Sequence, residues 1–188
     1  MTFLYAARDT YDEDHASWQG YLQWSKLTHL KELVSLDGPL NGDLVEPDYD
    51  NGDDWNYIHV VDQSHSGDVA GIQTGFYTSL DYVFKKLNTE KPCNLLTVVI
   101  EPDEDCRKVD LADFEFVGYD LLDKDFCISA LSNCGGFDET FVPSDLNDRG
   151  LIDTLEDAYD IKRRLLDNNP DESHADTNVI AVWRHKTV

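Results

Sequence analysis

Three short runs hold the residue types from which a site can be built. Asn133-Cys134-Gly135-Gly136-Phe137 places a thiol on a Gly-Gly turn, where backbone N–H groups can face an oxyanion. A nucleophilic Cys134 also needs a base, such as His174 or His59, brought to it by the fold. A thiolate in a strongly negative field has its pKa raised, so this run reads better as a positive-φ turn beside a buried thiol. His174-Ala175-Asp176 would set two ligand-type side chains on one face of an extended segment. Two groups do not make a metal site, and with Asp171 and Glu172 alongside, the run reads as a polar lead-in to a strand.

The third run is Asp48-Tyr49-Asp50-Asn51-Gly52-Asp53-Asp54-Trp55. Tyr and Trp are frequent anchors of protein interfaces, and carboxylates around them pair with Lys or Arg. The expected partner-binding residues are Asp48, Tyr49, Asp50, Asp53, Asp54 and Trp55. Against this stands a solvated loop whose Trp55 and Tyr57 belong to the core of the next strand. A calcium loop fails on spacing: counted from Asp48, an EF-hand needs glycine at the sixth position and glutamate at the twelfth, where the chain has Asp53 and His59. Glu101-Pro102-Asp103-Glu104-Asp105 is a further acidic stretch, which reads as keeping a sheet edge soluble or as joining the first in one negative face. No phosphate-binding glycine loop, dinucleotide fingerprint, serine elbow or zinc-protease helix occurs, so no cofactor and no metal are expected.

The setting of these runs is strongly acidic: 38 acidic side chains against 15 basic ones give a formal net charge of −23 over 188 residues. Such a charge works against compaction and points to attraction toward something positive. It repels an anionic membrane surface and bare nucleic acid. Apolar residues at 41% and aromatic residues at 11% suffice for a core, so global disorder is excluded. The spacings of Cys93, Cys106, Cys127 and Cys134 match no zinc ligand set. The N-terminal residues lack a signal-peptide pattern, so reduced thiols in a cytoplasm are expected.

The elements that must position these runs follow from periodicity. A strand is expected over 2–7 and a helix over about 15–35, from Trp18, Tyr21, Leu22, Leu27, Leu30, Leu33 and Val34. An acidic loop follows over about 37–54, with seven carboxylates and no Lys or Arg. A strand is expected over 55–62 and a second helix over about 73–88. Cys93 to Ile100 is a near-continuous apolar run between prolines, the pattern of a strand buried on both faces. Phe114–Leu122 and Phe126–Ser132 read as a hairpin about Asp123-Lys124-Asp125, with Cys127 buried in its second arm. A third helix spans about 153–167, with Asp153 and Glu156 as a capping box and Lys162, Arg163 and Arg164 in its last turns. A final strand covers about 177–185. The pattern predicts one α+β domain over 1–188, three helices packed on an antiparallel or mixed sheet of about five to six strands.

The function expected from this reading is that of an acidic binding protein of the inhibitor or immunity type, neutralising a basic partner such as a toxin or nuclease domain. The alternatives are a small hydrolase-like enzyme using Cys134 or a carboxylate or metal site, a DNA-mimic regulator whose carboxylates imitate phosphates, and an Asp-rich surface tuned for solubility at high salt.

Overall fold

The computed structural model describes residues 1–48, 50, 52–60, 73–133 and 140–187. Its centre is the apolar run expected to be a buried strand, β6 (Cys93–Ile100), whose inner six residues are all buried. β6 pairs on one side with β1 (Leu4–Asp9) and on the other with β8 (Thr177–His185). Outside β1 lie β5 (Gln73–Tyr77) and then β4 (Ile58–Val60); outside β8 lies β7 (Phe114–Asp123). The six-stranded sheet has the order β4-β5-β1-β6-β8-β7, and every pair in it is antiparallel. β2 (Tyr11–Asp12) and β3 (Glu32–Leu33) form a separate two-stranded pair. With helices α1 (Trp18–Ser25), α2 (Leu80–Lys86) and α3 (Leu155–Asn168), the chain is an α+β fold.

Alternation along the strands divides the core into two layers. Leu95 and Val99 of β6, with Val179, Ala181 and Trp183 of β8, join a cluster that contains Tyr82 and Val83 of α2 and Ala158, Ile161 and Leu165 of α3. Leu96, Val98, Ile180 and Val182 belong to the opposite layer, where Val34, Leu36 and Leu151 cover them. That second cover is irregular chain, and its position is set by buried polar groups. Asp120, in the middle of β7 and fully buried, accepts hydrogen bonds from Leu36 N (3.0 Å), Leu121 N (2.8 Å) and the Ser129 hydroxyl (2.6 Å). Asp37, also fully buried, accepts from Leu40 N, Ser129 N and Asn133 Nδ2. The two carboxylates tie residues 35–41 and 127–133 to the sheet.

Several elements differ from their sequence patterns, for physical reasons. The first helix stops at Lys26, which takes a left-handed conformation (φ 62°), and does not run to 35. Residues 33–37 are buried one after another, a pattern that no single helix face produces. The segment 55–62 opens as a 3-10 turn, Asp54–Tyr57, because the Asn56 backbone and side-chain amides both donate to Asp53 O; the strand starts only at β-branched Ile58. Residues 61–62 lie outside the described residues. The expected helix over 73–88 splits into β5 and α2, capped by the Ser79 hydroxyl on Tyr82 N. Gly75 (φ 66°) belongs to β5, and a Cβ there would lie 2.8 Å from the Arg8 guanidinium. The second hairpin arm forms no strand: Ile128 O and Ala130 N bond to Asp123 N and Leu121 O, after which the chain turns away. Cys127 is exposed there. α3 is capped by Thr154 with Asp157, one residue beyond the expected box, and it runs on to Asn168. Its basic residues therefore lie inside the helix, pairing with Glu101 and Asp160.

Candidate partner-binding surface

The 3-10 turn Asp54–Tyr57 carries the centre of the expected site. Trp55 and Tyr57 are each 39% exposed, although each stands where the sequence also allowed a core position. Tyr57 lies parallel to Tyr82 of α2, with ring centroids 4.4 Å apart. Asp54, in contrast, is buried. Its carboxylate receives Lys86 Nζ at 2.8 Å and the Asp48 N–H at 2.6 Å. The Lys86 ammonium and these hydrogen bonds hold the Asp54 carboxyl below the usual carboxylate range. Lys86 is thus a basic residue that the fold brings into the acidic run, where the sequence nearby offered none. Asp48, Asp50 and Asp53 are exposed around the turn, and Asp48 Oδ1 also accepts from Asp50 N at 3.2 Å. Tyr49 lies outside the described residues.

The seven carboxylates over 37–54 therefore have different fates. Asp37 anchors irregular chain to the core, Asp43 accepts the Tyr77 hydroxyl at 2.6 Å, and Asp54 braces the turn. Asp43, Glu46, Asp48, Asp50 and Asp53 are all exposed, and Trp55 and Tyr57 add two exposed rings. Chemically, this is a surface able to receive a cation: carboxylates accept charge-assisted hydrogen bonds, and aromatic faces attract cations through their quadrupole.

The other sequence candidates are dispersed. Cys134 lies outside the described residues. Burial pushes the thiols of Cys93 and Cys106 up to about 11, and partial desolvation of exposed Cys127, with the charges of Asp123 and Asp37, raises its thiol too. His174 and Asp176 do not converge. The 3-10 turn Ser173–Ala175 breaks the extended alternation, His174 Nδ1 meets buried Asp123 at 2.9 Å, and Asp176 faces Lys124 at 3.4 Å. No group of three or more His, Cys, Asp or Glu residues is gathered for a metal ion among the described residues. No described helix is long and apolar enough to cross a membrane.

No protein family, curated protein or solved structure matches this chain. The residues around the turn are then the guide to what it does. Two of them had no local signal in the sequence: Lys86 and Tyr82 reach the turn from α2, about thirty residues downstream. The buried carboxylate of Asp120 did carry one, as an acid set between Tyr119 and Leu121 in the strand sequence FEFVGYDLLD.

Proposed function

We propose that this chain is an acidic binding protein of the inhibitor or immunity type, which engages a basic protein partner such as a toxin or nuclease domain through the turn bearing Trp55 and Tyr57. The observation that carries this reading is the pairing of two exposed rings with exposed Asp48, Asp50 and Asp53 on a turn braced from beneath by Lys86 and Tyr82. A braced turn loses little conformational entropy on binding, which favours its use as an anchor.

The net charge of −23 supplies the approach. Complementary fields raise association above the roughly 10⁵–10⁶ M⁻¹s⁻¹ of a neutral pair, and salt screens them beyond about 8 Å at physiological strength. The aromatic contacts then set the residence time. The partner is sought by affinity capture at low salt, followed by kinetics on the purified pair. The expected result is an association rate that falls steeply with salt and a dissociation rate that barely changes with it. W55A and Y57A are expected to speed dissociation. An association rate independent of salt, or kinetics indifferent to both variants, would overturn the reading.

A further inference from the structure

A second recess lies two residues along the chain from Tyr57. It is lined by Leu4 of β1, His59 of β4, Val99 and Ile100 of β6, and Pro102 and Asp103 beyond them, with Met1, Thr2 and Glu101 completing it. Leu4, Val99 and Pro102 are buried, so the floor is apolar, whereas Asp103 at the rim is exposed. Asp103 makes no hydrogen bond or ion pair with another described residue. Two other clefts mix acids with Lys31 and Arg149, or with Arg107 and Arg149. The described residues that line this recess include no lysine or arginine.

The rim is held in a fixed shape. Glu101 takes a left-handed backbone conformation (φ 46°), uncommon for a residue with a side chain. Its carboxylate is drawn away to α3, where it accepts from the Lys162 ammonium, the Tyr159 hydroxyl (3.0 Å) and Val179 N (3.1 Å). The same hydroxyl lies 3.0 Å from Pro102 O, so its single proton is shared between the two acceptors. The negative charge of Glu101 is thereby answered inside the protein, and that of Asp103 is left for solvent or a ligand. Burial lowers the pKa of His59, which disfavours the charged form of the ring.

We infer that this recess receives the side chain of a lysine or arginine of the partner, its methylene stem against Leu4 and Ile100, which share one face of the sheet, and its cationic head at Asp103. A long basic side chain is the protein group that combines an apolar stem with a charged tip. This assignment rests on the partner being basic. It adds a second contact, separate from the Trp55 and Tyr57 surface: Tyr57 packs on Tyr82 of α2, whereas His59 packs on Phe126.

The test uses the intact chain and three side-chain analogues: n-butylammonium, n-butylguanidinium and uncharged n-butanol, titrated while backbone amide resonances are followed. Saturable shifts are expected at His59, Ile100 and Asp103 with the two cations. D103N should weaken them about 2- to 5-fold, the size of one exposed ion pair. T2W, at an exposed position, should block the recess without touching the core. Equal binding of butanol, or non-saturating shifts scattered over the acidic surface, would overturn the assignment. If the analogues fail while partner capture still depends on Trp55, only the recess assignment falls. If they bind as expected and the captured partner shows salt-independent association, the recess stands as a cation site and the partner reading falls.

Discussion

Replacing Asp120 probes how the irregular layer is held. The carboxylate accepts three hydrogen bonds in a site with no solvent exposure. In D120A the Leu36 N–H, the Leu121 N–H and the Ser129 hydroxyl lose their acceptor, and each unsatisfied buried donor costs about 1–3 kcal/mol. The Ser129 hydroxyl can rotate, and removal of a buried charge returns part of the loss. The expected net destabilisation is about 2–4 kcal/mol, against a total stability of about 5–15 kcal/mol for an ordinary domain. D120N keeps one acceptor oxygen but turns an amide toward at least one donor, so its cost should be smaller, at about 1–3 kcal/mol.

The same site predicts a pH dependence. Burial raises the carboxyl pKa of both Asp120 and Asp37, and for Asp120 the charge of Asp37 adds to the rise. Between the unfolded value of 3.8 and the raised folded values, the folded state binds more protons than the unfolded state. Stability therefore falls as pH rises through that window, by up to about 1.4 kcal/mol per pH unit for each carboxyl. Acidifying from neutral should stabilise the protein. Below the ordinary carboxylate range the trend reverses, because Asp54, Asp105 and Glu101 are held low by Lys86, by Arg107 and, against partial burial, by Lys162, and they then lose those pairs. Urea unfolding followed by tryptophan fluorescence, to which buried Trp18 and Trp183 contribute, gives both quantities at several pH values. Relief of general self-repulsion acts on wild type and D120N almost alike, so the difference between their slopes isolates the buried group. Parallel profiles, or a D120N as stable as wild type at every pH, would refute the reasoning.

Phe126 closes the turn after β7 with φ 56°, a conformation that suits glycine, while its ring packs 6.0 Å from that of Phe76. F126A loses the ring and keeps the strain, whereas F126G loses the ring and releases it, so thermal unfolding should find F126G the more stable by about 1 kcal/mol. K86M removes the brace on Asp54; amide exchange at Asp48 and Asn56 should speed up, and a captured partner should dissociate faster with little change in its association rate. Combined D48N, D50N and D53N should slow association with a basic partner more than D12N, D14N and D110N together, although each set removes the same charge; stopped-flow mixing at low salt distinguishes a directed surface from a general field.

The sheet was legible wherever burial on both faces made the signal redundant. β6 and β8 read directly from near-continuous apolar runs between polar boundaries. The misread stretches are those whose apolar residues serve two layers. Leu27, Leu30 and Leu33 enter one cluster while Val34 and Leu36 enter the other, so helical spacing in the sequence corresponds to no helix in the chain. Phe76 likewise preceded a true helix closely enough to be absorbed into its periodicity, whereas its segment pairs with β1 and β4 and passes close to Arg8 at Gly75. At the candidate surface, the exposed carboxylates and Trp55 were legible because both are local. Their support from Lys86 and Tyr82 was not, because it depends on α2 packing beside the turn.

The charge itself takes a different meaning from where the carboxylates sit. The chain has 28 aspartates and 10 glutamates. Asp12, Asp43, Asp48 and Asp105 each accept a hydrogen bond from the backbone N–H two residues on, and Asp37 from the one three residues on. The short aspartate side chain reaches its own backbone in this way and stabilises turns; a glutamate would have to order an extra methylene to do so. Five of the 28 aspartates serve turns in this way, so part of the aspartate excess has a structural use. Net charge alone is then weak support for a basic partner. The stronger support is local: turn-forming aspartates around Asp54 are set beside two exposed rings on a braced support, where charge and aromatic contact can act on the same bound group.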